Sequence, residues 1–316
     1  MKTAQWNGSD IGDLSGHTAI VTGASSGIGY ETARMLALKG AHVIIAVRNL
    51  GKGLAAAGKI RGEKESTDVD VMELDLTHLA SVEKFAQAVT DRVHRLDLLI
   101  NNAGVMIPPY GKTADGFELQ MGTNHLGHYA LTGHLLPLLL TTPGSRVVNV
   151  SSMAHRMGKL DFNDLHWDDR SYNARRAYGD SKLANLYFTM ELGRRLDAAG
   201  ADVISTASHP GWTATDLMRH SSLFAFSSRF LAQTPGMGAL PTLRAALDAE
   251  AANGAFYGPD GFMEMRGWPV RIDPNARAQD TAIAAQLWEF SRTLTGVDID
   301  AMLQKQGSVN SVKEMA

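Results

Sequence analysis

Six short runs rich in branched apolar residues recur along the chain: TAIVT (18–22), HVIIAV (42–47), VDVMEL (69–74), LDLLI (96–100), RVVNV (146–150) and DVISTAS (202–208). Such compact apolar segments are the pattern of strands buried on both faces of a sheet. Between them lie longer segments with helical periodicity. Two of these, YETARMLALKG and NARRAYGDSKLANLYFTMELGRRLDAAG, close on a glycine, Gly40 and Gly200, as helices do. Strand and helix in alternation constrain the chain to an α/β fold, a doubly wound parallel sheet of about seven strands with helices on both faces. Ligands bind beyond the carboxyl ends of such strands, so functional residues are expected directly after each run.

The 316 residues are 44% hydrophobic and 20% charged, with a formal net charge of -3. That balance points away from nucleic acid and from a membrane surface. The longest apolar candidate, LLPLLL (135–140), is far short of the roughly 20 residues that span a bilayer. MKTAQWNGSDIGDLSG, at the amino terminus, has no apolar stretch of signal-peptide length, so a soluble, cytoplasmic chain is expected. The absence of cysteine excludes disulfides, thiolate catalysis and thiolate-bound metal. No repeat, linker or charge block divides the sequence, which reads as one domain over 1–316 with its core at about 16–295.

After the first run comes GASSGIG, with Gly23, Gly27 and Gly29 spaced GxxxGxG. Glycines between a strand and a helix allow a tight turn and close approach of a diphosphate to the helix amides. Ser25, Ser26 and Ile28 lie in the same turn, and the two serines can hydrogen-bond phosphate. An NAD-binding turn of this kind is followed about 20 residues later by an acid that holds the ribose 2'-hydroxyl. The second run ends instead in AVRNLGKG, with Arg48 and Asn49 at that place. A carboxylate would repel a 2'-phosphate, whereas Arg48, helped by Ser25, can pair with it, so NADP(H) is expected in preference to NAD(H). The third run ends at Asp75 and Leu76; Asp75 can cap the next helix or reach the adenine amino group. The fourth ends in INNAG, where Asn102, Ala103 and Gly104 would approach the adenine ribose and Asn101 would brace neighbouring strands.

AYGDSKLANLYF (177–188) sets Tyr178 four residues before Lys182. On a helix the two share a face, and an ammonium beside a phenol favours its ionised form, so the pair can serve as a general acid/base.

TGASSGIG, NNAG, YGDSK and HPG, in that order and at strand ends, resemble the short-chain dehydrogenase/reductase family of the TGxxxGxG, YxxxK type. The resemblance runs from about residue 16 to about residue 295 and implies a Rossmann-type fold with a catalytic tetrad. Its members here are Asn124 in MGTNHLGHYALT, Ser152 in VNVSSMAH, Tyr178 and Lys182, with Ser151 structural. By the family's pattern Ser152 bonds the substrate oxygen, Asn124 helps hold a water linked to the lysine, Tyr178 is the acid/base, and Lys182 lowers its pKa and binds the nicotinamide ribose. HPGWTATDL resembles the segment lining the nicotinamide, with Pro210 and Gly211 turning the chain and Thr213 and, more strongly, Thr215 available to the carboxamide or diphosphate. The long insertion between serine and tyrosine and the SKLAN continuation are similar to the retinol dehydrogenase-like branch. Membrane-bound members of that branch carry an N-terminal anchor not found in this sequence, and relatives that reduce protochlorophyllide rely on a cysteine it lacks.

The family's substrate lid corresponds to about 213–240, and its Leu, Phe and Met content implies a hydrophobic carbonyl or alcohol; packing on the core or on another subunit is the alternative. VMIPP (105–109) and MAH (153–155) are expected on the opposite wall, and Trp167 at the pocket rim or an interface. His125, His128 and His134 lack the interleaved acid of a metal helix, and no metal is expected. His209 reads as structural, and residues 297–316 as a tail. The resemblance also implies a homodimer or homotetramer built through the Tyr-Lys helix and its neighbour. The expected function is oxidoreduction of a carbonyl/alcohol pair with NADP(H). A catalytically silent NADP(H) sensor on the same fold is the rival, disfavoured because it would have no use for the complete tetrad.

Overall fold

The computed structural model describes residues 5–213 and 232–305. Its centre is a sheet of eight strands in the order β3-β2-β1-β4-β5-β6-β7-β8. They are β1 (Thr18–Thr22), β2 (His42–Val47), β3 (Val69–Glu73), β4 (Leu98–Asn101), β5 (Ser145–Val150), β6 (Val203–Ser208), β7 (Phe256–Pro259) and β8 (Pro269–Ile272). β1 to β6 are the six apolar runs. The first seven strands are parallel, and β8 pairs antiparallel with β7 at the edge. β7 and β8 have four residues each with a proline at one end, Pro259 and Pro269, so no apolar run announces them.

The helices are α1 (Gly27–Leu38), α2 (Leu50–Glu63), α3 (Leu79–Thr90), α4 (Leu119–Met121), α5 (Gly127–Leu140), α6 (Ala174–Ala198), α7 (Pro235–Leu247) and α8 (Thr281–Thr295). Side chains of successive strand residues point to opposite faces, so β1 feeds two cores. Ile20 enters the one formed with α3, α5, α6 and α8, and Ala19 and Val21 the one formed with α1, α2 and α7. Strand order reverses between β1 and β4, and the carboxyl ends of β1, β4 and β5 converge beside that switch point, where a doubly wound sheet opens its ligand crevice.

α4 and α5 are joined by a π-helical turn, Gly122–Leu126, which contains Asn124. A Cβ on Gly122 would come within 2.4 Å of Thr113 Cγ2, so only glycine lets the turn sit this close to the preceding loop.

Three expectations change. The packed body reaches beyond residue 295: Val297, Ile299 and Leu303 are buried in the α3/α5/α6/α8 core, and Gly133 of α5 is pressed so closely against Val297 that a Cβ would meet it. Residues 299–305 are helical, and Ile299 and Leu303, four residues apart on one face, anchor the segment. With α8 they cover α5 and α6, through Trp288 against Tyr129 and Phe188 and Arg195 paired with Asp300. Residues 235–240, placed at the end of the expected lid, are the first turns of α7, with Ala239 and Leu240 buried against α1 and the sheet. The earlier part of that lid, 214–231, and Thr215 with it, lie outside the described residues. Finally, Trp167 is buried beneath the Arg170 guanidinium, 3.7 Å from its ring centre, because the 158–173 insertion packs its own aromatic residues instead of standing in solvent. Among the described residues no helix is long and apolar enough to cross a membrane.

Candidate active site

The turn after β1 is shaped by what its glycines leave out. Gly23 has φ +69, and a Cβ there would lie 2.8 Å from Ala103 Cα; at Gly29 it would lie 2.4 Å from Asn102 Nδ2. The glycine turn and NNAG therefore touch backbone to backbone, leaving a cradle at the N-terminus of α1. Ser26 occupies the N-cap of α1 without spending its hydroxyl on the helix, and Ser25, Gly27 and Ile28 are half-buried beside it. Thr22, the last residue of β1, ties this arrangement together: its hydroxyl accepts from the Asn102 and Ala103 amides, each at 2.9 Å, and its carbonyl accepts from Asn102 Nδ2 at 2.8 Å.

At the end of β2 Arg48 is exposed, and among the described residues no hydrogen bond or ion pair engages its guanidinium. Asn49 caps α2, its Oδ1 accepting from the Lys52 amide at 2.9 Å. Asp75 Oδ1 accepts from the Thr77 amide and hydroxyl at 2.9 and 2.7 Å. It builds a local turn and does not cap α3, whose N-cap is His78. The Leu76 side chain is buried in the core.

Ser152, Tyr178, Lys182 and Asn124 come together at the carboxyl end of β5. The Ser151 hydroxyl donates to the Lys182 carbonyl at 2.8 Å and anchors α6 to the strand. Ser152 caps a 3-10 turn, Met153–Met157, by accepting from the Ala154 amide at 3.2 Å, and its hydroxyl acts on the Tyr178 phenol in the direction of a lower pKa. Close packing makes this possible, since Gly158 and Gly179 abut and a Cβ on either would strike the other segment's backbone. The Lys182 ammonium, almost fully buried, donates to the Val150 carbonyl at 2.9 Å. A Cβ on Gly104 would sit 2.9 Å from Asn124 Oδ1 and 3.6 Å from Lys182 Nζ, so Gly104 keeps the crevice open at the lysine.

Burial governs the protonation of the pair. It pushes the Tyr178 phenol up to about 12, against the opposing hydrogen bond from Ser152, and pulls the Lys182 ammonium down to about 8. The expectation that Lys182 lowers the phenol's pKa is not met in this arrangement: the ammonium is 5.9 Å from the ring centre and turned toward Val150.

The Asn124 side chain is engaged by its neighbours. Its Oδ1 accepts from the Val105 amide at 2.8 Å, and its Nδ2 donates to the Val105 carbonyl and the Ser181 hydroxyl at 3.0 and 2.9 Å. The side chain is spent on pinning the loop after β4 to α6. Behind it lies His128, unexpected from the sequence: Nδ1 meets the Asn124 carbonyl at 3.0 Å and Nε2 the Thr22 hydroxyl at 2.9 Å. Burial holds this imidazole down at about 4, hence neutral, and Nδ1 as donor leaves Nε2 to accept from Thr22. The i, i+4 spacing to Asn124 was its only trace in the sequence. His125 is buried against Ser291, and neither histidine is turned to a shared point with His134.

Past β6, Thr213 is buried and its hydroxyl donates to the Pro210 carbonyl at 2.8 Å, closing the turn in which Gly211 has φ +66. Of the expected pocket walls, Val105 to Pro108 are half-buried. Ile107 has φ +54, a conformation a β-branched residue rarely adopts. It is held by Gln120, whose Oε1 accepts from its amide at 2.9 Å while Nε2 donates to Tyr172 Oη and the Ala174 carbonyl. On the other wall Met153 and Ala154 are partly open, but His155 is buried beneath them with Nδ1 2.7 Å from the Ser152 carbonyl.

The glycine cradle on a strand-helix turn, facing a Ser-Tyr-Lys cluster at the switch point, defines a Rossmann-type dinucleotide-dependent oxidoreductase. Residues 17–223 match the family model described as short chain dehydrogenase. Human retinol dehydrogenase 12 is 43% identical over 289 residues, covering 90% of this chain and 88% of that protein. Human retinol dehydrogenase 13 is 41% identical, covering 92% and 88%. Among solved structures, an uncharacterized protein from Mycobacterium paratuberculosis superposes with a TM-score of 0.79 at 43% identity, covering 93% of this chain and 99% of that one. A short chain dehydrogenase from Shigella flexneri complexed with NADP gives 0.63 at 26%, covering 77% and 96%. The chain belongs to the short-chain dehydrogenase/reductase family and is retinol dehydrogenase-like within it.

Proposed function

We propose that the chain is an NADP(H)-dependent oxidoreductase that interconverts a hydrophobic carbonyl compound and its alcohol, with Tyr178 as the proton carrier. The observation that carries this reading is the convergence of Ser152, Tyr178 and Lys182 beside the Gly104 opening. The cradle left by Gly23, Gly29 and Gly104 fits a dinucleotide, with Ser25, Ser26 and the first amides of α1 for the diphosphate and Arg48 for a 2'-phosphate. Bound there, the nicotinamide supplies or accepts the hydride. Tyr178, neutral below a pKa of about 12, gives its proton to the carbonyl oxygen in reduction, and Ser152 holds that oxygen by a hydrogen bond. Lys182, charged below about 8, is the cation available to the nicotinamide ribose. The half-buried Val105, Met106 and Ile107 offer an apolar wall. NADPH and NADH consumption by the purified protein against aldehydes and ketones of graded size and polarity tests the reading. NADPH-dependent turnover that rises with substrate hydrophobicity is expected; tight cofactor binding without turnover of any of them would leave a nucleotide-sensing role in its place.

A further inference from the structure

The hairpin between β7 and β8 reaches back over the site. Its loop, DGFMEMRGW (260–268), places Met263 and Glu264 consecutively at φ +51 and +57, a left-handed pair without a glycine. Something must hold such a backbone, and the Glu264 carboxylate is engaged at both oxygens. Oε2 lies 2.9 Å from His209 Nε2, and Oε1 accepts from the Arg156 guanidinium at 2.7 Å. His209 is fully buried, and its Nδ1 accepts from the Gly211 amide at 3.2 Å, which fixes Nε2–H as the donor to Glu264. Gly258 is required beneath it, because a Cβ there would meet the imidazole at 2.4 Å. The loop backbone follows the same course: the Met265 carbonyl accepts from the Trp212 amide at 2.6 Å and packs on Gly211.

His209 opens the turn Pro210–Thr213 after β6, and Arg156 belongs to the 3-10 turn that Ser152 caps. One carboxylate thus joins the two turns that flank the site, although it stands 55 residues from His209 and 108 from Arg156 in the chain. We propose that Glu264 is a positioning residue: through His209 and Arg156 it locks the Pro210–Gly211 turn to the Ser152 turn and so fixes the pose of the nicotinamide end of the cofactor. The proposal rests on the cofactor reading above. Consistently, the bonds from His209 and Arg156 hold the Glu264 carboxyl below its ordinary range, so the link is charged at neutral pH.

The glycine turn and Arg48, which the cofactor reading gives to the diphosphate and the 2'-phosphate, lie at β1 and β2, away from this clamp, so affinity and pose separate in a test. In Glu264→Ala the affinity for NADPH is expected to persist, while the nicotinamide fluorescence enhancement and anisotropy of the bound cofactor fall. Turnover of a carbonyl substrate should drop about 10- to 100-fold with little change in KM, as for a small misplacement of reacting groups. Deuteride transfer from NADPH labelled on one C4 face should also lose selectivity. Glu264→Gln keeps the shape but offers one acceptor to two donors, and is expected to fall between; it decides the matter if the alanine variant unfolds. Wild-type fluorescence and selectivity in both folded variants would overturn the clamp. If wild type binds NADPH without turnover, the fluorescence arm still decides on Glu264 while the oxidoreductase reading falls. If it binds neither NADPH nor NADH, both fall.

Discussion

The Lys182 ammonium donates to the Val150 carbonyl at 2.9 Å while the Tyr178 ring it is paired with in sequence lies 5.9 Å away. The last carbonyl of β5 therefore decides where the cation sits, and burial decides the phenol's charge. A phenol kept neutral beside Ser152 is ready to give a proton, which suits reduction of a carbonyl at neutral pH.

Tyr178→Phe removes that proton and little else. Carbonyl reduction should fall by about 10²- to 10⁴-fold in kcat, the range general acid catalysis supplies. Affinity for NADPH, which the proposed reading assigns to the glycine turn and Arg48, should stay as in wild type. Steady-state kinetics beside a fluorescence titration read both, and unchanged kcat in the variant would remove Tyr178 from the mechanism.

Arg48 is a cation at the end of β2 that no bond within the described residues consumes. A charge-assisted bond to phosphate contributes about 1.5–3 kcal/mol, so Arg48→Ala should reduce the ratio of NADPH to NADH affinity by about 10- to 100-fold. NADH affinity should not move. Equal losses for both cofactors would place the residue's role elsewhere.

Most of this was readable before the fold. β1 to β6 declare themselves because parallel strands are rich in branched apolar residues, even at the edge strand β3 where Asp70 and Glu73 face out, and Tyr178, Lys182 and the glycine turn because local spacing carries their geometry. What escaped has no local signature. β7 and β8 end on prolines, and Glu264 finds His209 only when the hairpin folds back across β6. Gln120 and Tyr172 look like ordinary polar residues until the π-helical turn and the insertion bring them to Ile107. The side-chain bonds of Asn124 to Val105 and Ser181 escaped for the same reason, as a pairing set by tertiary contact.

Ile299 tests the extension of the core past residue 295. It has no exposed surface and packs on Gly133 of α5. Ile299→Ala should cost about 2–4 kcal/mol through lost burial and the cavity left behind. Urea unfolding would show the midpoint falling with an unchanged slope. A neutral result would mean that the segment is not docked on α5 in solution.

Asp180, two residues from Tyr178, is buried, and burial pushes its carboxyl up to about 6 despite the Lys159 amide it accepts from at 2.7 Å. The unfolded carboxyl titrates near its ordinary value of about 3.9, so between that pH and 6 the folded chain holds a proton the unfolded chain has released. Stability contributed by this group is complete below that window and is lost as pH rises through the folded value. An asparagine side chain in its place carries no charge at any pH, and its oxygen can still accept from Lys159. Asp180→Asn should therefore be more stable than wild type by about 1–3 kcal/mol near pH 7, and the gain should shrink toward zero near pH 4. Urea unfolding of both proteins at the two pH values measures the difference. A gain of the same size at both would mean that it comes from packing or hydrogen bonding, and that Asp180 is ionised in the folded chain without penalty.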